Sequence, residues 1–132
     1  MSAGTPAEAP GTIRAAHEDE GRLLRIELAS PPTNILDLRM ISAFRDLLSS
    51  TRDEPGLRAI ILTHEGPNFS YGASVEEHLP GRFQELIPGF HGLLRAMLEL
   101  DVPILAATSG YVLGAGLEVV ALAHRVFASG SA

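Results

Sequence analysis

The chain has 132 residues, 45% of them hydrophobic, and a net charge of −6 at pH 7, which suits one domain with its own core. The acidic balance excludes the basic stripe that binds a nucleic acid, and no apolar run is long enough to cross a bilayer. The absence of cysteine and lysine excludes disulfides, thiolate chemistry and Schiff-base chemistry. We therefore expect a cytoplasmic protein with no nucleic-acid or membrane partner.

The chain begins with a small, polar segment at residues 1–11, which we interpret as a flexible tail preceding one domain at 12–132. The next two segments, Ile13–Glu18 and Leu23–Leu28, flank a turn-like Asp-Glu-Gly-Arg sequence. In the second segment apolar and charged residues alternate, as they do in a half-buried strand. The pair predicts a β-hairpin.

The remaining elements alternate between helix and strand. Asp37 is placed to cap a helix over residues 38–48, whose apolar residues share one face. The other predictions are a strand at 57–63, a helix at about 88–100, a strand at 102–107, a buried helix at 117–123 and a strand at Arg125–Ala128. The polar stretch 76–82 is predicted to be mobile and to cover a site. This alternation favours an α/β fold with crossover units.

Two glycine-containing loops follow the predicted buried strands. They are FSYGAS at residues 69–74 and GYVLGAG at 110–116. Loops at the carboxyl ends of parallel strands are the usual ligand sites of open α/β sheets, and glycine lets a backbone amide approach a ligand closely. Two such amides from different loops would stabilise a developing oxyanion.

Glu118 is the candidate acid/base group, because it follows the second loop and its sequence neighbours are apolar. Desolvation there would disfavour the carboxylate form and suit a general acid or base. The alternative is that Glu118 only complements the dipole of its helix. The sequence has no GxGxxG or GxSxG motif, and its five histidines share no metal-like spacing, so we expect no metal.

At these residues the sequence resembles the crotonase (enoyl-CoA hydratase/isomerase) superfamily. Its signature of strand, glycine-rich turn and glutamate-bearing helix is similar to VPILAATSGYVLGAGLEVVALAHRVFAS at 102–129. The family's upstream element is similar to FSYGA at 69–73, and its early coenzyme A loop to LASPPTNILD at 28–37. The resemblance implies a crotonase-like spiral of ββα units that is truncated here before its C-terminal helices. It also implies acyl-CoA thioesters as substrates.

The resemblance carries over residue by residue. It implies that Ala73 and Ala115 donate the two backbone N–H groups of an oxyanion hole, and that Glu118 handles the water and its proton. The residues that it implies for substrate binding are Thr33, Asn34, Ile35, Tyr71, Gly72, Ser74 and Gly114. No cofactor is implied, because coenzyme A enters as part of the substrate thioester.

Several details within the family favour hydration. The segments PPTNILD and FSYGASVEEHLP are most similar to those of cyclohexa-1,5-diene-1-carbonyl-CoA hydratases, which would place Tyr71 and residues 76–79 near the acyl group. The alternatives are an enoyl-CoA isomerase, another crotonase reaction, or an inactive truncated homologue that acts as a partner or acyl-CoA binder.

The family's second catalytic glutamate is expected beyond Ala132. We expect the full-length form to be a trimer or hexamer, and this chain alone to be inactive and prone to aggregation.

Overall fold

The computed structural model describes residues 12–76 and 79–132, and the predicted tail at 1–11 lies outside the described part. The strands are β1 (Ile13–Glu18), β2 (Leu23–Leu28), β3 (Ala59–His64), β4 (Ile104–Thr108) and β5 (Arg125–Ala128). The helices are α1 (Leu38–Ser50), α2 (Phe83–Leu98) and α3 (Ala115–Ala121), with a 3₁₀ turn at Thr51–Asp53. The strands form one sheet in the order β1-β2-β3-β4-β5. Only the β1–β2 pair is antiparallel, so the predicted α/β class is confirmed.

The predicted hairpin is present, with Ile13 paired to Leu28 and Glu18 paired to Leu23. On β2 the buried residues are Leu24, Ile26 and Leu28. Arg25 lies on the other face, and its Nε donates a 2.7 Å hydrogen bond to Glu18. This guanidinium lowers the pKa of the Glu18 carboxyl. The alternation read from the sequence therefore separates a buried face from a face with charged pairs.

Helix α1 begins as predicted at the Asp37 cap. The Asp37 carboxylate accepts a hydrogen bond of 2.8 Å from the backbone N–H of Met40, which satisfies one of the free donors of the first turn. The buried residues of the helix are Met40, Ile41, Phe44 and Leu48. Burial of one such side chain contributes about 1.5–3 kcal/mol, so this face holds α1 against the sheet and α2.

Helix α2 begins at Phe83, five residues before the predicted start at Pro88. Pro88 therefore lies inside the helix, where it removes one backbone donor. The buried side chains of Leu86 and Phe90 on either side of Pro88 explain why the helix continues through it. Of the segment 76–82 that was predicted to be mobile, residues 77 and 78 lie outside the described residues.

Helix α3 begins at Ala115, two residues earlier than predicted, and it is buried on one side only. Val119 and Val120 pack into the core, whereas Leu117 is 54% exposed and Glu118 is also exposed. The prediction of an all-round buried helix is therefore wrong for this chain, because only one face of α3 packs against other described residues. Strand β5 ends the sheet, and its four residues are exposed.

Candidate active site

The first glycine loop is fixed on one side by the segment that follows β2. The Tyr71 N–H donates to the Thr33 carbonyl, and the Leu36 N–H donates to the Gly72 carbonyl, both at 2.8 Å. Leu36 and Ala73 thereby form a parallel bridge. The loop is held beside residues 33–36 by this isolated bridge, which limits its freedom before any ligand binds.

The second glycine loop holds the other side of the first. The Ser70 N–H donates to the Tyr111 carbonyl at 3.2 Å, and the Leu113 N–H donates to the Ser70 carbonyl at 3.0 Å. The buried hydroxyl of Ser70 donates to the Asn34 carbonyl and accepts from the Gly72 N–H. Ser70 therefore joins three segments.

Gly72 brings the first loop close against the second. Its φ of 108° disfavours any other residue, and a Cβ atom there would stand 3.0 Å from the Leu113 carbonyl oxygen and 3.4 Å from the Ala115 nitrogen. Gly114, also with positive φ, turns the second loop into α3. The backbone before Ala73 thus lies against the backbone before Ala115, as a two-loop oxyanion hole requires.

The N–H groups of Ala73 and Ala115 have no hydrogen-bond acceptor among residues 12–76 and 79–132. Ala115 is the first residue of α3, where an N–H has no partner within the helix. The N–H groups of Tyr71 and Leu113, by contrast, donate to another segment. These two donors are therefore available to an oxygen atom of a ligand.

Both donors line one cavity of about 540 Å³, a volume typical of small-molecule sites. Its lining residues are Tyr71, Gly72, Ala73, Val75, Leu86, Ile87, Phe90, His91, Gly114, Ala115 and Glu118. Glu118 lies three residues after Ala115 and is exposed, so the buried apolar environment expected for it is absent in this chain. The cavity does bring the carboxylate to the same space as the two free amides.

A second cavity of about 570 Å³ lies at the other end of the parallel strands. It is lined by residues that precede β3 and β4, among them Arg58 and Val102, and by the exposed Arg52–Glu99 pair. Neither glycine loop reaches it. The carboxyl ends of the strands are thus the better candidate for chemistry, as in other open α/β sheets.

The predicted substrate-binding residues separate into two groups. Tyr71, Gly72 and Gly114 line the cavity with the two donors and Glu118, whereas Thr33, Asn34, Ile35 and Ser74 do not line it. Thr33 contributes its carbonyl to the loop contact described above. Asn34 is completely buried, and its side chain supports the loop from inside. The contact between Asn34 and substrate stays a prediction.

The Asn34 amide joins three backbone segments. Its oxygen accepts from the Ser30 N–H at 2.7 Å, and its nitrogen donates to the carbonyls of Glu65 and Asn68 at 3.1 and 2.9 Å. Its φ of 45° is also one that asparagine tolerates better than most residues. The early loop and the loop before residue 69 are therefore held together by one buried side chain.

Replacement of Asn34 by alanine should lower the free energy of unfolding by about 2–4 kcal/mol, because three backbone groups lose their partner in a buried place. Urea unfolding followed by circular dichroism measures this difference. Arg39→Ala, an exposed change on α1, is the control and should alter the value by about 0.5 kcal/mol or less. A loss below 1 kcal/mol for the Asn34 variant would contradict this role.

The histidines in the described part of the chain have structural partners, with the exception of His91. The Ser109 N–H donates to Nε2 of His64 and the Ile104 N–H to Nδ1 of His124, while His17 pairs with Glu54. No group of three potential ligands in the described part of the chain is placed to hold a metal. His91 lines the cavity, and the sequence reasoning did not single it out. Its position four residues after Ile87 on the edge of an apolar stripe was the available signal.

Among the described residues, no helix has the length and apolar content needed to span a membrane.

Comparisons with known proteins find relatives over most of the chain. The profile of the enoyl-CoA hydratase/isomerase family matches residues 18–132. The cyclohexa-1,5-dienecarbonyl-CoA hydratase of Thauera aromatica is 46% identical over 93% of this chain and 48% of its own length. The carnitinyl-CoA dehydratase of Salmonella arizonae is 32% identical over 80% of this chain and 42% of its own length.

The fold has close matches among solved structures. The enoyl-CoA hydratase of Mycobacterium smegmatis superposes with a TM-score of 0.82 at 23% identity, over 91% of this chain and 48% of that one. The chain spans about half the length of the curated relatives that it matches. Because the family profile covers most of the chain, this protein belongs to the enoyl-CoA hydratase/isomerase family, the crotonase superfamily that its glycine loops resemble.

Proposed function

We propose that the protein adds water to an unsaturated acyl-CoA thioester, and that a cyclic dienoyl-CoA is its substrate. The observation that carries this proposal is the convergence of two unpaired backbone donors, at Ala73 and Ala115, in the cavity that Glu118 also lines. The 46% identity to a cyclohexa-1,5-dienecarbonyl-CoA hydratase supports the choice of acyl group.

The chemistry follows from where negative charge develops. Addition of hydroxide to the conjugated chain moves electron density onto the thioester oxygen and forms an enolate. Two N–H donors at that oxygen stabilise the charge more in the transition state than in the ground state, because the carbonyl is less negative. Glu118 takes the proton of the attacking water as a general base. Coenzyme A is part of the substrate, and no separate cofactor takes part.

The acyl group would lie between the loops and α2. The cavity wall contains Tyr71 from the first loop and Ile87 and Phe90 from α2, which offer aromatic and aliphatic surface to a six-membered ring. The Tyr71 ring is supported edge-on by Tyr111 at a centroid distance of 5.5 Å. Such a wall suits a flat, apolar ring better than a charged acyl group.

The proposal is tested with the protein as its gene encodes it, retaining any residues after Ala132. Cyclohexa-1,5-dienecarbonyl-CoA and crotonyl-CoA are each incubated in ¹⁸O-labelled water, and the products are analysed by mass spectrometry. We expect one labelled oxygen in the product and a higher kcat/KM for the cyclic thioester. A product of unchanged mass would identify an isomerase, and no conversion of either thioester would favour an inactive homologue.

We further propose that the full protein is cytoplasmic and a homo-oligomer, a trimer or a hexamer. Exposed apolar side chains on α3 and β5, among them Leu117, Val126 and Phe127, support an interface on this side. Light scattering coupled to size exclusion measures the mass directly. A monomer at micromolar concentration would contradict the proposal.

A further inference from the structure

We propose that His91 is a second proton-transferring residue of this cavity, acting together with Glu118. The inference rests on the proposed hydration and adds a residue to it. Among the residues described, the titratable side chains that line the cavity are Tyr71, His91 and Glu118. Of these, His91 and Glu118 are the two that ordinarily exchange protons below pH 8, and they come from different helices.

The position of His91 is set by the packing of α2. Leu86 and Phe90 are buried in the core, which fixes the rotation of the helix about its axis. Ile87 and His91 are one turn apart and therefore lie on the same face, which is exposed and lines the cavity. The imidazole is thus presented to the cavity by a helix that the core already holds in place.

His91 also differs from the other described histidines in having no partner. His17 pairs with a carboxylate, and the rings of His64 and His124 each accept a backbone N–H. No hydrogen bond or ion pair to His91 occurs within residues 12–76 and 79–132. Within the described part of the chain, both of its ring nitrogens are therefore free to contact a ligand, unlike those of a histidine that serves the fold.

Hydration needs a base at the attacking water and an acid at the carbon. His91 supplies the acid from α2, whether or not the glutamate expected beyond Ala132 also takes part. Hydration forms one C–O bond and one C–H bond and breaks one O–H bond of water. As the hydroxyl adds to carbon, Glu118 takes the remaining proton of the water. The imidazolium of His91 gives its proton to the carbon that carries the enolate electron pair, and the C–H bond forms. Glu118 then loses a proton to solvent and His91 gains one, so the net change is the addition of one water.

A conjugated diene as substrate gives a second proton-transferring side chain a separate role. The hydroxyl and the proton can enter at carbons that are not adjacent, and one carboxylate reaches only a limited region of a six-membered ring. Groups on α2 and α3 would serve the two positions separately. A general acid or base contributes typically about 10²–10⁴-fold to a rate.

The test compares His91→Gln, His91→Ala and a matched control, His17→Gln, in the full gene product with the cyclic dienoyl-CoA as substrate. His17 lies on β1, outside the cavity, so the same substitution there should leave kcat within about twofold. We expect kcat to fall at least about 10²-fold for both His91 variants, with KM within a few fold. Exogenous imidazole should restore part of the activity of His91→Ala.

The pH profile separates proton transfer from a structural role. If His91 donates as the imidazolium, kcat of the parent declines on the alkaline side of a histidine titration, and this limb is absent in His91→Gln. The ring resonances of His91 in the parent should also shift when acyl-CoA is added, which needs no variant. An unshifted resonance, or a His91→Gln protein with parental kcat and pH profile, overturns the inference while leaving the hydratase intact. A parent that converts neither thioester overturns the proposed function itself.

Discussion

Replacement of Ala115 by proline should lower kcat/KM for the thioester about 10²- to 10³-fold, because it removes one of the two proposed oxyanion donors. The first position of a helix is the one where proline is tolerated best, since its N–H has no helical partner in any case. The substitution therefore removes the donor with little expected cost to α3. Steady-state kinetics with the full protein measures the effect, and thermal unfolding should show a similar midpoint.

The control for this experiment is Ala115→Gly, which keeps the N–H and changes only a methyl group. It should retain activity within a few fold of the parent. Equal activity in the proline and glycine variants would show that the Ala115 amide does not contact the reacting oxygen. A proline variant that unfolds early would instead point to a clash with the Gly72 backbone, which lies close to this nitrogen.

Replacement of Glu118 by glutamine should lower kcat about 10²- to 10⁴-fold, because the amide cannot accept the proton of water. The side chain is exposed, so the free energy of unfolding should change by about 0.5 kcal/mol or less. Single-turnover assays with the cyclic dienoyl-CoA measure the chemical step without product release. Binding of the thioester should persist, since neither backbone donor is altered.

Glu85→Gln is the matched control, because Glu85 is an exposed glutamate in the first turn of α2 and does not line the cavity. It should react at the parental rate. If Glu118→Gln also hydrated at the parental rate, the assignment of Glu118 would be wrong, and its role would be the alternative stated for it, complementing the helix dipole.

The elements that could be predicted from sequence are those with local signals. The hairpin follows from alternation and a glycine turn, and α1 begins at a capping carboxylate three residues before the N–H that it binds. Helix α2 has no side-chain cap and contains Pro88, so its first turn could not be recognised from local signals. Its true start depends on the burial of Leu86 against other elements.

The candidate site could be predicted only in part, because some of its features depend on residues that are distant in the sequence. The glycine loops can be recognised from the sequence. The buried state of Asn34, however, depends on Glu65 and Asn68, which are more than thirty residues away. The apolar neighbours of Glu118 suggested burial, yet neighbours along a helix point in different directions. Val119 and Val120 are buried, whereas Leu117 and Glu118 itself are exposed. His91 was missed because its one sequence signal, the position four residues after Ile87, gains meaning only when the cavity beside the helix is known.

The approach of the Gly72 backbone to Ala115 has an evolutionary consequence. A donor that belongs to the main chain imposes nothing on its own side chain, so positions 73 and 115 are free to drift among small residues. The constraint falls on their predecessors, since a Cβ at Gly72 would stand 3.0 Å from the Leu113 oxygen. In an alignment of relatives we expect variation at the two donors and near-invariance at Gly72. In an active site of this kind the conserved residue is then the one that precedes the backbone donor, and not the donor residue itself.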